Sequence, residues 1–132
     1  MNFFNPDAYL ALEKEIKQQA SSGDENALED LTFLKKAVLI FAHYVYIVNE
    51  EQIETRLAKG VKKGNDLQEV ISHFDLTRHT AHDAAIVNVK VLNRIASAYG
   101  IGPIYIGDPS NRREVGHFCG EITSWFFENR YA

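Results

Sequence analysis

Cysteine is almost absent from this sequence, which has a single one, Cys119, among 132 residues. One cysteine cannot form a disulfide within the chain, so a reducing compartment is the simplest location. The start of the chain also lacks the basic residues and the long apolar run of a signal peptide. We therefore expect a cytoplasmic protein.

Long hydrophobic runs are missing as well. The most apolar stretch, 37–48, has about twelve residues and contains His43, whereas a membrane-spanning helix needs about twenty. This stretch is therefore expected to lie in the core of a soluble protein. No association with a membrane is expected.

An excess of basic residues is absent too, because the net charge is −4 and the isoelectric point is about 5.7. General affinity for the nucleic-acid backbone is therefore not expected. Two small basic clusters, Lys59/Lys62/Lys63 and Arg112/Arg113, are interpreted as surface charge, although either could bind a phosphate. The chain has no Gly-rich phosphate loop, no dinucleotide fingerprint and no paired-cysteine zinc motif.

What is present is the composition of an ordinary folded domain, with 45% hydrophobic and 24% charged residues. A chain of 132 residues fits a single domain over 1–132. Apolar residues recur at three- and four-residue steps, which is typical of helices. The predicted helices are 6–20, 25–48 continued over 50–63 with a break or bend near Asn49, 65–73, 76–99 and a last one after Asp108.

The predicted helix boundaries rest on capping residues. Asn5 is expected to cap the first helix, with Pro6 inside it, and Ser22 with Glu25 has the spacing of a capping box for the second. Asp108 is expected to cap the last helix. The result is an all-α fold, a compact bundle of about five helices with one short irregular or extended loop near residues 101–107.

Two helices have clear apolar faces. In the last helix this face comprises Val115, Phe118, Cys119, Ile122 and Phe126. In the long helix 76–99 it comprises Ala81, Ala84, Ala85, Val91, Leu92, Ile95, Ala96 and Tyr99. Asn88 falls in the middle of the second face. We expect its amide to bond to another helix or to a bound water, with a ligand contact as the alternative.

A polar strip beside this face is the candidate for chemistry. It comprises Asp75, Arg78, His79, His82, Asp83, Lys90, Asn93 and Arg94. Two imidazoles and a carboxylate within one turn can bind a divalent transition metal or supply a base with its orienting group. The metal ligands would be His79, His82, Asp83 and His117. A small-molecule ligand would contact Arg78, His82, Asn93, Arg94, Tyr105 and Arg112. The alternative is an ordinary polar helix surface.

Two known arrangements partly match these residues. Glu114 and His117 have the Glu-x-x-His spacing of di-iron bundles, but such sites need two copies and this chain has one. His43, His82-Asp83 and Asp108 follow the order of ligands in metal-dependent phosphohydrolases, although the spacing is atypical. No cofactor is assigned beyond a possible divalent metal.

Other single residues have simpler interpretations. His43 is expected to be a buried, hydrogen-bonded histidine, and Cys119 a packing residue whose pKa is raised if it is shifted at all. Trp125, Phe126 and Phe127 are consecutive, so one helix cannot bury all three against a single neighbour. At least one of them is expected to be exposed or to contact another chain.

The C-terminal half resembles a known family. The segment Arg78-His79-Thr80-Ala81-His82-Asp83, then Leu92-Asn93-Arg94, and finally His117-Phe118-Cys119 before Phe127-Glu128-Asn129-Arg130 look like small bacterial proteins of an uncharacterised helical domain family. The resemblance implies a helical fold and places Arg78, His82, Asp83, Asn93 and Arg94 at the family's matching positions. It implies no activity.

Two functions follow as hypotheses. The first is an interaction or regulatory domain that acts as a homo-oligomer or binds a protein partner. It rests on the aromatic residues at the two ends of the chain, which are Phe3, Phe4, Trp125, Phe126, Phe127 and Tyr131. The second is a small-molecule or metal-binding site built on Arg78, His79, His82 and Asp83, and a metal-dependent hydrolase or phosphohydrolase is one form of this hypothesis.

Overall fold

The computed structural model describes residues 2–48 and 78–130, apart from the side chains of residues 46–48, 78–80, 127 and 130. Within these residues the chain is all-helical, as predicted. It forms four helices, which we number α1 (Pro6–Ser21), α2 (Glu25–Val48), α3 (Arg78–Ala98) and α4 (Arg112–Arg130). The predicted continuation of the second helix over 50–63 and the predicted helix 65–73 lie outside the described residues. The described part of the chain thus has four helices, where about five are expected for the whole chain.

Helix α1 begins and ends through local hydrogen bonds. The Asn5 side chain accepts a bond from the backbone N–H of Ala8 at 3.2 Å, and Pro6 opens the helix, both as predicted. The end is formed by Gly23, whose φ of +94° suits only glycine at no cost. Its N–H donates to Ala20 O at 3.1 Å, and the N–H of Asp24 donates to Gln19 O at 3.2 Å, which is a Schellman motif.

The predicted capping box at the start of α2 is wrong. The Asp24 side chain, rather than Ser22, accepts the bonds from the backbone N–H groups of Asn26 and Ala27, at 2.9 and 3.2 Å. Ser22 instead belongs to the end of α1, where it is the C-cap and its hydroxyl donates to Gln19 O at 2.8 Å. The sharp turn at Gly23 then makes Asp24 the first side chain able to cap α2.

Helix α2 is the central element, because it packs against α1, α3 and α4. Five consecutive residues, 41–45, are buried, including His43. This confirms the core position predicted for the most apolar stretch at residues 41–45, whereas residues 38–40 of the same stretch are half-buried. A helix surrounded by three others loses the amphipathic pattern of a surface helix, which is why its apolar residues extend around it.

Helix α3 turns a narrower face inward than predicted. The buried residues are Ala81, Ala85, Val89, Leu92 and Ala96. Asn88 therefore lies at the flank of this face and is only half-buried. Its side-chain amide donates to Ala84 O of its own helix at 2.7 Å, so the expected bond to another helix or a water is replaced by a local one.

The loop after α3 is extended, as predicted, and pairs with the N-terminus. Gly100, with a φ of +73°, ends α3. Further on, the N–H of Asn5 donates to Ile104 O at 2.9 Å and the N–H of Ile106 donates to Phe3 O at 2.7 Å. These bonds form a single antiparallel bridge, which fixes residues 3–5 against the loop 101–107.

The predicted start of α4 is wrong, whereas its buried face is confirmed. The Asn111 side chain caps the helix by accepting bonds from the N–H groups of Arg113 and Glu114 at 3.1 and 3.2 Å. Asp108 instead accepts bonds from the backbone N–H and the hydroxyl of Ser110 at 2.9 and 2.7 Å, in a turn before the helix. The buried face comprises Val115, Phe118, Cys119, Ile122 and Phe126.

No helix within residues 2–48 and 78–130 has both the length and the apolar content that a membrane crossing requires.

Candidate functional site

Asn93, a predicted ligand-binding residue, holds the loop 101–107 in place. Its Oδ1 accepts bonds from the N–H groups of Ile104 and Tyr105 at 3.0 and 2.9 Å. Its Nδ2 donates to Tyr105 O at 2.8 Å. A half-buried carboxamide that makes three such bonds has one N–H left, so the side chain has a structural role in this conformation.

Tyr105, predicted to reach a ligand, is in the core with 1% of its surface exposed. Its ring lies 5.2 Å from that of Phe118, and its hydroxyl donates to Asp108 O at 2.8 Å. Gly107 packs so closely that a Cβ added there would lie 2.7 Å from the Tyr105 hydroxyl. Burial, followed by the nearby charge of Glu114, raises the pKa of Tyr105 to about 12.

The predicted metal ligands are only partly described. His82 is half-buried, with its ring 5.1 Å from that of Tyr44 at 77°, and Asp83 is exposed. The side chains of Arg78 and His79 lie outside the described residues. His117 is exposed on α4, with its ring 6.0 Å from that of Phe3. Among the described side chains, no three His, Cys, Asp or Glu residues are grouped closely enough to hold a metal ion.

Arg94 and Arg112, the two remaining predicted ligand contacts, are exposed at separate places. Arg94 borders a shallow depression of about 450 Å³ between α2 and α3, next to Glu29 and Asp30. Arg112 borders a larger groove along α4. The predicted site residues are therefore divided between the core, the face of α3 and the start of α4.

The groove along α4 has a volume of about 750 Å³, within the range of ligand-binding clefts. One side is formed by the N-terminal segment with Phe4, and another by the end of α2 with Tyr44 and Val45. Its floor is α4 itself, with residues from Arg112 to Glu128. At 1.5 Å per residue this floor is about 24 Å long, which is more than four helical turns.

The aromatic residues at the chain ends serve mainly the protein's own core. Phe3, Phe4 and Phe126 are each at most 8% exposed. Trp125 is half-buried, and its ring lies 5.7 Å from both Phe4 and Tyr9 in edge-to-face contacts. The side chain of Phe127 lies outside the described residues. Trp125 is thus the aromatic residue of this set that reaches the groove with part of its surface exposed.

Glu121 was not identified from the sequence, although it fixes one side of the groove. Its Oε2 accepts bonds from the backbone N–H groups of Phe3 and Phe4 at 2.7 and 3.1 Å. The bonded residues are 118 and 117 positions apart in the chain. No local pattern marks such a contact, because it depends on how α4 meets the N-terminal segment.

Small residues form the floor of the groove. Gly116 lies under Tyr44, and a Cβ added there would be 3.2 Å from the Tyr44 hydroxyl. Among the described residues, no atom lies within 4 Å of a Cβ added at Gly120. Ser124 follows one turn later. The described side chains therefore leave the backbone of α4 open to close approach in the middle of the groove.

Charge is distributed unevenly along this floor. Arg112 and Arg113 stand at the N-terminal end of α4, and Glu128 stands near the C-terminal end, all of them exposed. Within the described part of the chain none of these three forms an ion pair; the pair found there joins Lys17 and Glu13 on α1, at 3.8 Å. The groove thus has one basic and one acidic end.

Comparison with protein-family models, with curated proteins and with solved structures finds no match for this chain. The resemblance of the C-terminal half to small bacterial proteins stays a prediction.

Proposed function

We propose that this chain is a protein-interaction domain, within a bundle of about five helices, and that its binding surface is the α4 groove. The observation that carries the proposal is the groove itself, with its partly exposed Trp125, its basic end at Arg112 and its open floor at Gly120. Tryptophan, tyrosine and arginine are the residues that contribute most at protein interfaces.

The form of the groove favours a protein over a small molecule. It is open along about 24 Å of helix, whereas small-molecule pockets enclose most of the ligand surface. Apolar rings are flanked by charged side chains that the described residues leave without ion pairs. An apolar centre with a charged rim is the usual anatomy of an interface.

Photo-crosslinking tests the proposal directly. His117 is exposed in the groove and would be replaced by p-benzoylphenylalanine, in cells and in purified protein. We expect ultraviolet light to join the chain to a second polypeptide, which is either another copy or a different protein. The substitution Gly120→Arg, which places a long side chain on the groove floor, should suppress this product.

Val87 on α3 provides the matched control, because 58% of its surface is exposed and it does not border the groove. The same photoreactive residue at Val87 should give no product that depends on Gly120. Absence of any product from the His117 position, or equal products from both positions, would contradict the proposal.

The second candidate function is a small-molecule or metal site, with metal-dependent hydrolysis of phosphate esters, on Arg78, His79, His82 and Asp83. Its support is the half-buried His82 beside the Tyr44 ring, because Tyr44 also borders the groove. Elemental analysis of purified protein, with thermal shifts on adding divalent metals and nucleotides, tests it. A His82→Ala variant with unchanged stability and unchanged shifts would eliminate it.

A further inference from the structure

We propose that the α4 groove binds a second copy of this chain, with the two α4 helices antiparallel and crossing at Gly120. This inference rests on the proposed function, since it names the partner of the same surface. Dimers with two-fold symmetry use one self-complementary patch on both copies. The question is therefore whether the groove complements itself.

The charges along α4 make the groove complementary to itself in one orientation of the two helices. Arg112 and Glu128 lie eight positions before and after Gly120, about 12 Å along the helix in each direction. When two such helices run antiparallel with their Gly120 residues in contact, Arg112 of each copy faces Glu128 of the other. A parallel arrangement would instead place Arg112 against Arg112 and Glu128 against Glu128.

The helix dipole points to the same orientation. Arg112 and Arg113 lie at the positive end of α4, and Glu128 lies near its negative end, which is unfavourable in an isolated helix. Glu114, in the same first turn, is favourably placed and offsets part of this effect. An antiparallel partner places a helix end of opposite polarity, with side chains of opposite charge, beside the two arginines and beside Glu128. Within the described residues, no ion pair neutralises the charge of Arg112, Arg113 or Glu128.

The shape of the floor permits close contact at the centre. Arg112, Gly116, Gly120, Ser124 and Glu128 are four residues apart and together form one inclined ridge that borders the groove. Ridges of this spacing pack alongside each other when the helix axes cross at about 50°. No atom of the described residues occupies the space above Gly120, so the backbones can approach there. The long side chains at the ends can then span the remaining distance.

The pairing of Arg112 with Glu128 is tested in the intact chain by reversing one of the two charges in each of two variants. In Arg112→Glu alone, and in Glu128→Arg alone, each dimer would contain two like-charged contacts. We expect each variant to dimerise at least tenfold more weakly than the unmodified chain by sedimentation velocity. Mixing the two should restore dimers, because both contacts in the mixed pair then join opposite charges.

Arg94→Glu is the matched control, because it changes the net charge equally on an exposed site outside the groove. Its dimerisation should stay within about twofold of the unmodified chain, and circular dichroism should report equal helix content in all variants. A chain that stays monomeric at millimolar concentration overturns the inference. So does a dimer whose strength neither single variant changes, or which mixing fails to restore.

These outcomes separate the two proposals. If the photo-product from His117 contains a different protein and the purified chain is monomeric, the groove is an interaction surface and the inference about its partner is wrong. If no product depends on Gly120 at all, the proposed function itself is wrong.

Discussion

Asn93 on α3 pairs with both backbone groups of Tyr105, by accepting from its N–H at 2.9 Å and donating to its carbonyl at 2.8 Å. One side chain thus acts toward the loop as a neighbouring strand would. The third bond, from the N–H of Ile104 at 3.0 Å, extends the pairing. The loop then offers its other edge to Phe3 and Asn5, so Asn93 indirectly positions the N-terminal side of the groove.

Replacing Asn93 should therefore be costly. Asn93→Ala leaves two N–H groups and one carbonyl of a partly buried loop without their partner, and we expect the free energy of unfolding to fall by about 2–4 kcal/mol. Urea denaturation monitored by circular dichroism measures this. Asn88→Ala is the control, because that amide bonds within its own helix; its effect should be below about 1 kcal/mol. Equal effects would show that Asn93 has no special role.

Glu121 should fix the N-terminal segment through its two bonds to Phe3 and Phe4. Hydrogen bonds to a charged group contribute about 1.5–3 kcal/mol, so Glu121→Ala should increase hydrogen exchange at these two amides by at least tenfold. Glu121→Gln, which keeps an acceptor oxygen, should have a smaller effect. The exposed Glu29 serves for comparison, and Glu29→Ala should leave both amides protected. Unchanged exchange in Glu121→Ala would refute the role.

Tyr105 should make stability depend on pH in the alkaline range. Its pKa is about 12 in the folded protein, mainly through burial, against about 10 when unfolded. Below pH 10 both states hold the proton, so its contribution is fully present. Between pH 10 and 12 the unfolded state loses the proton first, and the contribution of up to about 3 kcal/mol disappears. Urea denaturation from pH 9 to 11.5 should show a shallower decline in Tyr105→Phe than in the unmodified chain.

Cys119 should be unreactive while the protein is folded. The residue is fully buried, and this burial raises the pKa of its thiol, so little of the reactive thiolate forms. A thiol reagent such as dithiobisnitrobenzoate should label the native protein at least a hundredfold more slowly than the urea-unfolded chain. Rapid labelling of the native protein would show that the α4 face opens.

The residues at the chain ends illustrate what the sequence predicts poorly. The aromatic residues near both termini suggested an exposed contact surface, yet Phe3, Phe4 and Phe126 pack inside the same molecule. Composition gives the amount of apolar surface in a chain, but it does not show which apolar side chains pack against each other within that chain. The proposed interaction surface is instead the groove, which is assembled from three separate segments.

Capping shows the same limit on a shorter scale. Asn5 was identified correctly, but Ser22 and Asp108 were displaced as caps by Asp24 and Asn111. Each sequence stretch offers several side chains that can cap, and they compete within a few residues. Which of these side chains caps the helix depends on the residue at which the preceding turn ends.

The amino-acid sequence alone determined that the described residues are helical, that residues 41–45 lie in the core, where the buried face of α4 lies, and that residues 101–107 are extended. These properties depend on neighbours within about four residues, which share one helical turn. Tertiary structure alone decided that Asn93 binds the loop, that Glu121 binds the N-terminal segment and that Gly120 borders a groove. Contacts between residues as far as 118 positions apart form only when the helices pack, so no local pattern encodes them.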